Sequence, residues 1–319
     1  MKKGAPVKLT LAAVLLLALG GWGILSLWPG SPDPGCAVEY LIGMSQANLI
    51  EPWRITMNRE IEAAASEHEN LRVIFTDAAG DTRRQMADVE MLMGYGIDLL
   101  VISPNEAGAL SDTIGQVYQK IPVIVLDRDV RSENCTLFIG PDNYKIGRLA
   151  GKSVARLLGE TGGNIVEILG AKDSAPVAER SAGFADAIAQ NPNIRVVARL
   201  VANWMQDQAE DRFKEYLIQA AQPTDMVFAQ NDAMAYGAHI AAEKLRVTGV
   251  RFVGVDGLSG EDGGLELVKS GILAATFSCP TGGRQAVESA LDILAGKQGL
   301  PARLILAPVE ITEPNADQD

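Results

Sequence analysis

Short apolar runs rich in β-branched residues recur along the chain, at residues 38–44, 72–76, 99–103, 123–126 and 136–139. A second series stands at residues 165–169, 195–201, 226–229, 252–255 and 274–277. Helical patterns lie between most of them. Ile55, Ile61 and Ala64 are read as one face of a helix starting near Pro52, and residues 85–94, 146–158, 212–221 and 233–245 follow the same pattern. Pro52 marks a helix start, and Gly94 and Gly159 mark helix ends. The strand runs are apolar throughout rather than alternating, as expected where helices cover both faces of a sheet. Alternating strands and helices predict right-handed βαβ units and parallel sheets. Two series of about five strands, with no long linker between them, predict two doubly wound α/β sheets side by side.

A different pattern opens the chain. Lys2, Lys3 and Lys8 precede the run 9–28, which holds no charged residue. As a helix, 20 residues would span about 30 Å, the thickness of a hydrocarbon core. Basic residues before it predict a cytoplasmic N-terminus and an exported remainder. The run is longer than a signal-peptide core, and the Pro- and Gly-rich stretch 29–35 reads as a spacer. That favours a retained inner-membrane anchor over a cleaved signal peptide. Lipidation at Cys36 is a third route, with Asp33 where such a site usually carries Leu.

Composition narrows the classes. With 47% hydrophobic and 21% charged residues, the 319-residue chain is globular and long enough for about two domains. The net charge is −12, and it becomes −14 once residues 1–35 are set aside. So acidic a body is ill suited to nucleic acid. Three widely spaced Cys form neither a disulfide framework nor a zinc pattern. Of the two His, His68 lies on a polar helix end and His239 in mid-helix, neither beside a nucleophile motif. There is no G-x-G-x-x-G after the first strand, no P-loop and no metal-ligand spacing. No catalytic residue, cofactor or metal is therefore expected, and Cys279 has no partner His that would make it a nucleophile.

In open α/β sheets, ligands bind beyond the carboxyl ends of the strands. The residues there are unusual for a chain with 5% aromatics. Trp53 and Arg54 follow the first strand, Asp127 and Arg128 the fourth, and a polar loop leads to Arg180. Trp204, Asn231, Asp256 and Cys279 follow later strands. Each has an ordinary reading: a turn for Asp256, a helix cap for Asn231, a core staple for either Trp. Together they suit a polyhydroxylated ring. Carboxylates accept, Arg donates in a planar fork, and Asn does both. Trp offers a flat plate to the C–H face of a sugar.

These residues carry a resemblance. Pro-Trp-Arg at 52–54, Leu-Asp-Arg at 126–128, Pro-Asp-Asn at 141–143 and Glu-Arg-Ser-Ala-Gly-Phe at 179–184 form part of it. Phe-Ala-Gln-Asn-Asp-Ala-Met-Ala at 228–235, Val-Gly-Val-Asp-Gly at 253–257 and Leu-Ala-Ala-Thr at 273–276 complete it. In this order the body, from about Val38 to Ile311, resembles the type I periplasmic sugar-binding proteins of the ribose- and galactofuranose-binding group. They share a fold with the core of LacI-type repressors. The resemblance implies that Trp53 and Trp204 sandwich a ring. It assigns Asp127 and Arg128 to hydroxyls from one lobe, and Arg180, Asn231 and Asp256 to hydroxyls from the other. It also implies three hinge crossings, near Pro141, Cys279 and Ala307.

Three departures lean away from ribose: Cys279 where that pattern has Gln, Glu51 where it has Asn, and Arg54 for an aromatic. The domains expected are 1–36 as leader and spacer, 37–141 with 280–307 as one lobe, and 142–279 with 308–319 as the other. The expected protein is a monomer outside the cytoplasm that closes on a sugar for an ABC permease, or else reports it to a sensor kinase or chemoreceptor. A repressor would need a basic helix-turn-helix where the apolar run stands.

Overall fold

The computed structural model describes residues 39–130, 134–172 and 174–317. The run 9–28 and Cys36, with the anchor, signal and lipidation readings, lie outside the described residues. Among those described, no helix is long and apolar enough to cross a membrane.

The chain begins with β1 (Tyr40–Gln46), α1 (Pro52–Ser66), β2 (Leu71–Asp77), α2 (Thr82–Gly94), β3 (Leu99–Ser103), α3 (Ala107–Tyr118), β4 (Val123–Leu126) and β5 (Leu137–Pro141). It continues through α4 (Asn143–Leu158), β6 (Gly163–Leu169), α5 (Ala175–Ile188), β7 (Ile194–Val201), α6 (Gln206–Gln219), β8 (Met226–Ala229) and α7 (Asp232–Lys244). Then come β9 (Arg251–Val253), α8 (Gly264–Lys269), β10 (Thr276–Phe277), α9 (Gly283–Leu294), β11 (Arg303–Leu306) and β12 (Glu310–Ile311). The first sheet is six-stranded in the order β2-β1-β3-β4-β5-β11, with every pair parallel. The second is a parallel four-stranded sheet, β7-β6-β8-β9, beside the short antiparallel pair β10–β12.

Alternation along the central strands shows why their sequences are apolar throughout. Leu99 and Val101 of β3, with Ile124 and Leu126 of β4, enter one core. Leu100, Ile102, Val123 and Val125 enter the core on the opposite face. In the second sheet, Ile165, Met226 and Phe228 face the first of these cores, and Val166, Val227 and Ala229 a third. The edge strand β7 instead alternates partly buried and exposed residues, because one face lies open to solvent.

The structure adjusts the sequence reading in several places. β1 begins at Tyr40 and runs on to Gln46, because it pairs residue by residue with Leu71–Asp77. On α1 the buried face is Met57, Ile61, Ala64 and Ala65, whereas Ile55 stands off it. No helix was read over α3, α8 and α9 and no strand over β11 and β12, while α5 was expected only as the helix that carries Arg180. β11 gives the first sheet its sixth strand, and the antiparallel β10–β12 pair departs from an all-parallel plan.

The chain passes between the two sheets three times: after β5, between β10 and α9, and between β11 and β12. Just past the first passage, α4 crosses α5 at very short range. A Cβ on Gly147 would meet the Arg180 carbonyl oxygen at 1.9 Å, and one on Gly183 would meet the Tyr144 carbonyl oxygen at 2.0 Å. These glycines let two backbones touch and fix the height of Arg180. Gly147→Ala should therefore lower stability by about 1–3 kcal/mol, the usual cost of forcing atoms into a packed interior. An unchanged urea midpoint would show that the contact is not tight.

Candidate functional site

Both sheets present the carboxyl ends of their strands to one cavity of about 420 Å³. Trp53, Arg54, Asp127 and Arg128 line it from the first sheet, and Arg180, Trp204, Asn231 and Asp256 from the second. Glu51, Pro52 and Pro176 complete the lining. Cys279 stands behind this surface, buried, and joins the two sets of residues. Its carbonyl oxygen accepts from Trp53 Nε1 at 2.6 Å, and its sulfur accepts from Arg180 Nη2 at 3.1 Å.

Pro52 fixes the first turn of α1, which carries Trp53 and Arg54 inward. The Arg54 side chain is 1% exposed, yet its charge is fully answered. Nε donates to Glu51 (3.3 Å), Nη1 to Gln46 (3.0 Å) and Ser103 (2.6 Å), and Nη2 to Asp127 (3.0 Å). Burial opposes the charge, but Glu51 and Asp127 outweigh it and hold the guanidinium above its ordinary pKa. Arg54 thus spends its donors on protein and sets the positions of Glu51 and Asp127. Arg128 is less well served. Its Nη1 donates to the Asn105 carbonyl, while Nε is buried without a hydrogen bond, 3.7 Å from Asp127. Burial, then the Arg54 charge, pulls its pKa down.

Arg180 is anchored on the other side. Nε donates to Asn143 at 2.9 Å, and Nη1 donates to the Gln230 carbonyl. Its guanidinium carbon lies 5.6 Å from the centre of the Trp204 ring. That ring lies flat against backbone, since a Cβ on Gly170 would come within 2.1 Å of it. Trp53 and Trp204 are each 8% exposed, which corrects the expectation of exposed plates. Each belongs to a core as well as to the cavity wall, because an indole is too large to project freely into so small a space. Trp204 Nε1 has no partner among the described residues. Asn231 does two jobs. It caps α7 by accepting from the Met234 amide at 2.8 Å, and it donates to the Trp204 carbonyl at 3.1 Å.

Backbone strain gathers here. Asp127, Trp204 and Asp256 all line the cavity with positive φ, at 67°, 70° and 122°. Each costs of order 1–3 kcal/mol, which persists only where the surroundings enforce it.

A residue that sequence reading passed over lies beneath Asp256. Asp232 opens α7 and accepts from Thr276 Oγ1 (2.6 Å) and the Gly257 amide (2.8 Å). Gly254 and Gly264 leave room for it, since a Cβ on either would lie about 2 Å from its carboxylate. Burial pushes Asp232 up to about 7, against the pull of those two donors and of Arg180. Burial, then the Asp232 charge, pushes Asp256 well above the carboxylate range. A signal was present, since an acidic residue in the first turn suits a helix dipole, but it read only as a helix start. Burial also drives the Cys279 thiol up to about 12, so it stays protonated. Among the described residues no His, Cys, Asp or Glu cluster could hold a metal.

The sequence profile of the periplasmic binding protein domain matches residues 42–298. The chain belongs to the periplasmic binding protein family. This binding protein is 31% identical to the ribose import binding protein of Bacillus subtilis, over 98% of this chain and 99% of that one. It is 37% identical to the fructose-binding periplasmic domain of a hybrid two-component system, with a TM-score of 0.81 and coverage of 87% and 92%. An ABC transporter solute-binding protein from Bacillus halodurans, solved with myo-inositol, is 25% identical with a TM-score of 0.81, covering 90% of this chain and 98% of its own. Each of these relatives is named as a binding protein or a binding domain.

The raised Asp256 fixes a pH dependence. A carboxyl that holds its proton more tightly when folded stabilises the fold in acid, and that stabilisation is lost as pH rises from the unfolded value of 3.8 through the folded one. Asp256→Asn should therefore match the ligand-free binding protein in melting temperature below about pH 3.8 and exceed it by a margin that grows from there as pH rises towards 8. A difference that does not grow with pH would contradict the assignment.

Proposed function

We propose that the protein captures a monosaccharide or similar polyhydroxylated ligand outside the cytoplasm, by closing two lobes over it for ABC-type import. The lobes in this reading are residues 37–141 with 280–307 and residues 142–279 with 308–319. The observation that carries it is the cavity itself, where eight residues chosen for sugar chemistry converge from both sheets. Trp53 and Trp204 wall a flat ring. Arg128 and Asp127 meet hydroxyls from one side, and Arg180, Asn231 and Asp256 from the other. Arg54 sets the first group in place. Because only the closed state makes both sets of contacts, ligand shifts the lobes towards closure. The N-terminal apolar run fits an anchor to the inner membrane, and the protein acts as a monomer.

A sensing role is the second reading. It draws on the likeness to the periplasmic domain of a two-component system. Deleting the gene separates the two: loss of sugar uptake supports import, and loss of a sugar-induced transcriptional response with normal uptake supports sensing.

Asp256→Ala removes a buried hydrogen-bonding carboxyl and should weaken sugar binding about 10- to 100-fold. Calorimetry on the variant, with circular dichroism to confirm folding, checks this. A folded variant with unchanged affinity would remove Asp256 from the site.

A further inference from the structure

A second cavity, of about 750 Å³, adjoins the first and shares Pro52, Asn231 and Asp256 with it. Its walls come from both sides of the cleft. Ile55, Thr56 and Arg59 project from α1, and Leu258, Ser259 and Asp262 belong to the loop between β9 and α8. Pro52 at the start of α1, Asn231 at the cap of α7 and Asp256 in the loop after β9 therefore border both spaces.

Three observations concern what fills the second space. Arg59 and Asp262, both solvent-exposed, make no hydrogen bond or ion pair among the described residues, so their charged groups stand open to the second space. The Asp256 carboxylate likewise accepts no hydrogen bond among the described residues, yet it borders both spaces. The lining mixes an apolar pair, Ile55 and Leu258, with hydroxyl, guanidinium and carboxylate groups. That mixture matches the two faces of a sugar or polyol, apolar over its C–H bonds and polar at its rim, and does not match a hydrocarbon tail.

We propose that the ligand extends beyond one ring, and that the second cavity holds the second residue of a disaccharide or a polyol glycoside. The inference rests on reading the first cavity as a sugar site. The first residue lies between Trp53 and Trp204. The linkage passes Asp256, whose carboxyl hydrogen-bonds one hydroxyl of each residue. The second residue meets Arg59 and Thr56 on one side and Asp262 and Ser259 on the other. A single ring would leave its Asp256 edge facing the second space, which opens to solvent. The second residue closes that edge, so the hydrogen bonds at Asp256 form out of water, where they are strongest.

Calorimetry tests this with matched pairs: fructose against sucrose, glucose against maltose, and myo-inositol against galactinol. At least one two-residue probe should bind about tenfold more tightly than its single-residue counterpart, a difference of about 1.4 kcal/mol. Ser259→Trp fills the second space from an exposed loop position. It should erase that preference and leave the single-residue affinity unchanged, and Arg59→Ala should weaken only the two-residue probe. The proposal is overturned if every two-residue probe binds no better than its counterpart, or if Ser259→Trp weakens both alike. Binding of single residues alone would overturn the extended ligand while keeping the sugar site. Binding of neither kind by the folded protein would defeat the sugar-site reading, and the extension with it.

Discussion

A guanidinium buried to 1% exposure organises half of this molecule. An uncompensated charge in such a place costs several kcal/mol, so each Arg54 donor needs a partner. The partners come from four separate stretches of chain: Gln46 ends β1, Glu51 precedes α1, Ser103 ends β3 and Asp127 follows β4. Satisfying one side chain thus registers the carboxyl ends of three strands and a helix start. Neighbouring polar residues continue the net. Gln85 donates to the Ser103 carbonyl and accepts from the Asn105 amide, and the Asn105 carbonyl receives Arg128.

The second sheet solves the same problem with a different centre. Glu167, fully buried on β6, accepts from Ser181, Arg199 and Gln230. The Gln230 carbonyl in turn receives Arg180, which reaches across to Cys279. The two nets meet at Cys279, where the chain passes back to the first sheet and where Trp53 also bonds. The carboxylates answer the cations. Arg54 and Arg128 face Glu51 and Asp127 around one cavity, and Arg180 lies beside the buried pair Asp232 and Asp256. The Asp232 charge holds the proton on Asp256, so that pair sets one negative charge against Arg180, and no surplus positive charge is left for an anion.

How far this was legible in the sequence depended on whether local pattern or distant contact decides each feature. β3, β4 and β8 stand where their apolar runs stand, because central strands buried on both faces write an unbroken signal. β11 is four residues at an edge, alternately half-buried and exposed, and β12 is two residues long, so neither writes one. The core face of α9 is built largely from small residues, Ala286 and Ala290 beside Val287, which periodicity weighs lightly. The site was readable because strand–helix alternation says which loops share an edge. The burial of Arg54 and the carboxyl pair of Asp232 and Asp256 were not, since both arise from residues brought together across the fold. Cys279 follows the right strand, but its side chain turns to Arg180 rather than to the cavity wall.

If the charges at this cavity balance as the geometry indicates, the ligand is neutral. The direct test is a thermal-shift comparison of each neutral sugar with its charged counterpart, such as fructose with fructose 6-phosphate and galactose with galacturonate. The account predicts stabilisation by at least one neutral sugar or polyol and none by its anionic partner. At a hundred times the dissociation constant, a binder adds about 2.7 kcal/mol. Stabilisation by the phosphate or the acid, with none from the neutral sugars, would contradict it.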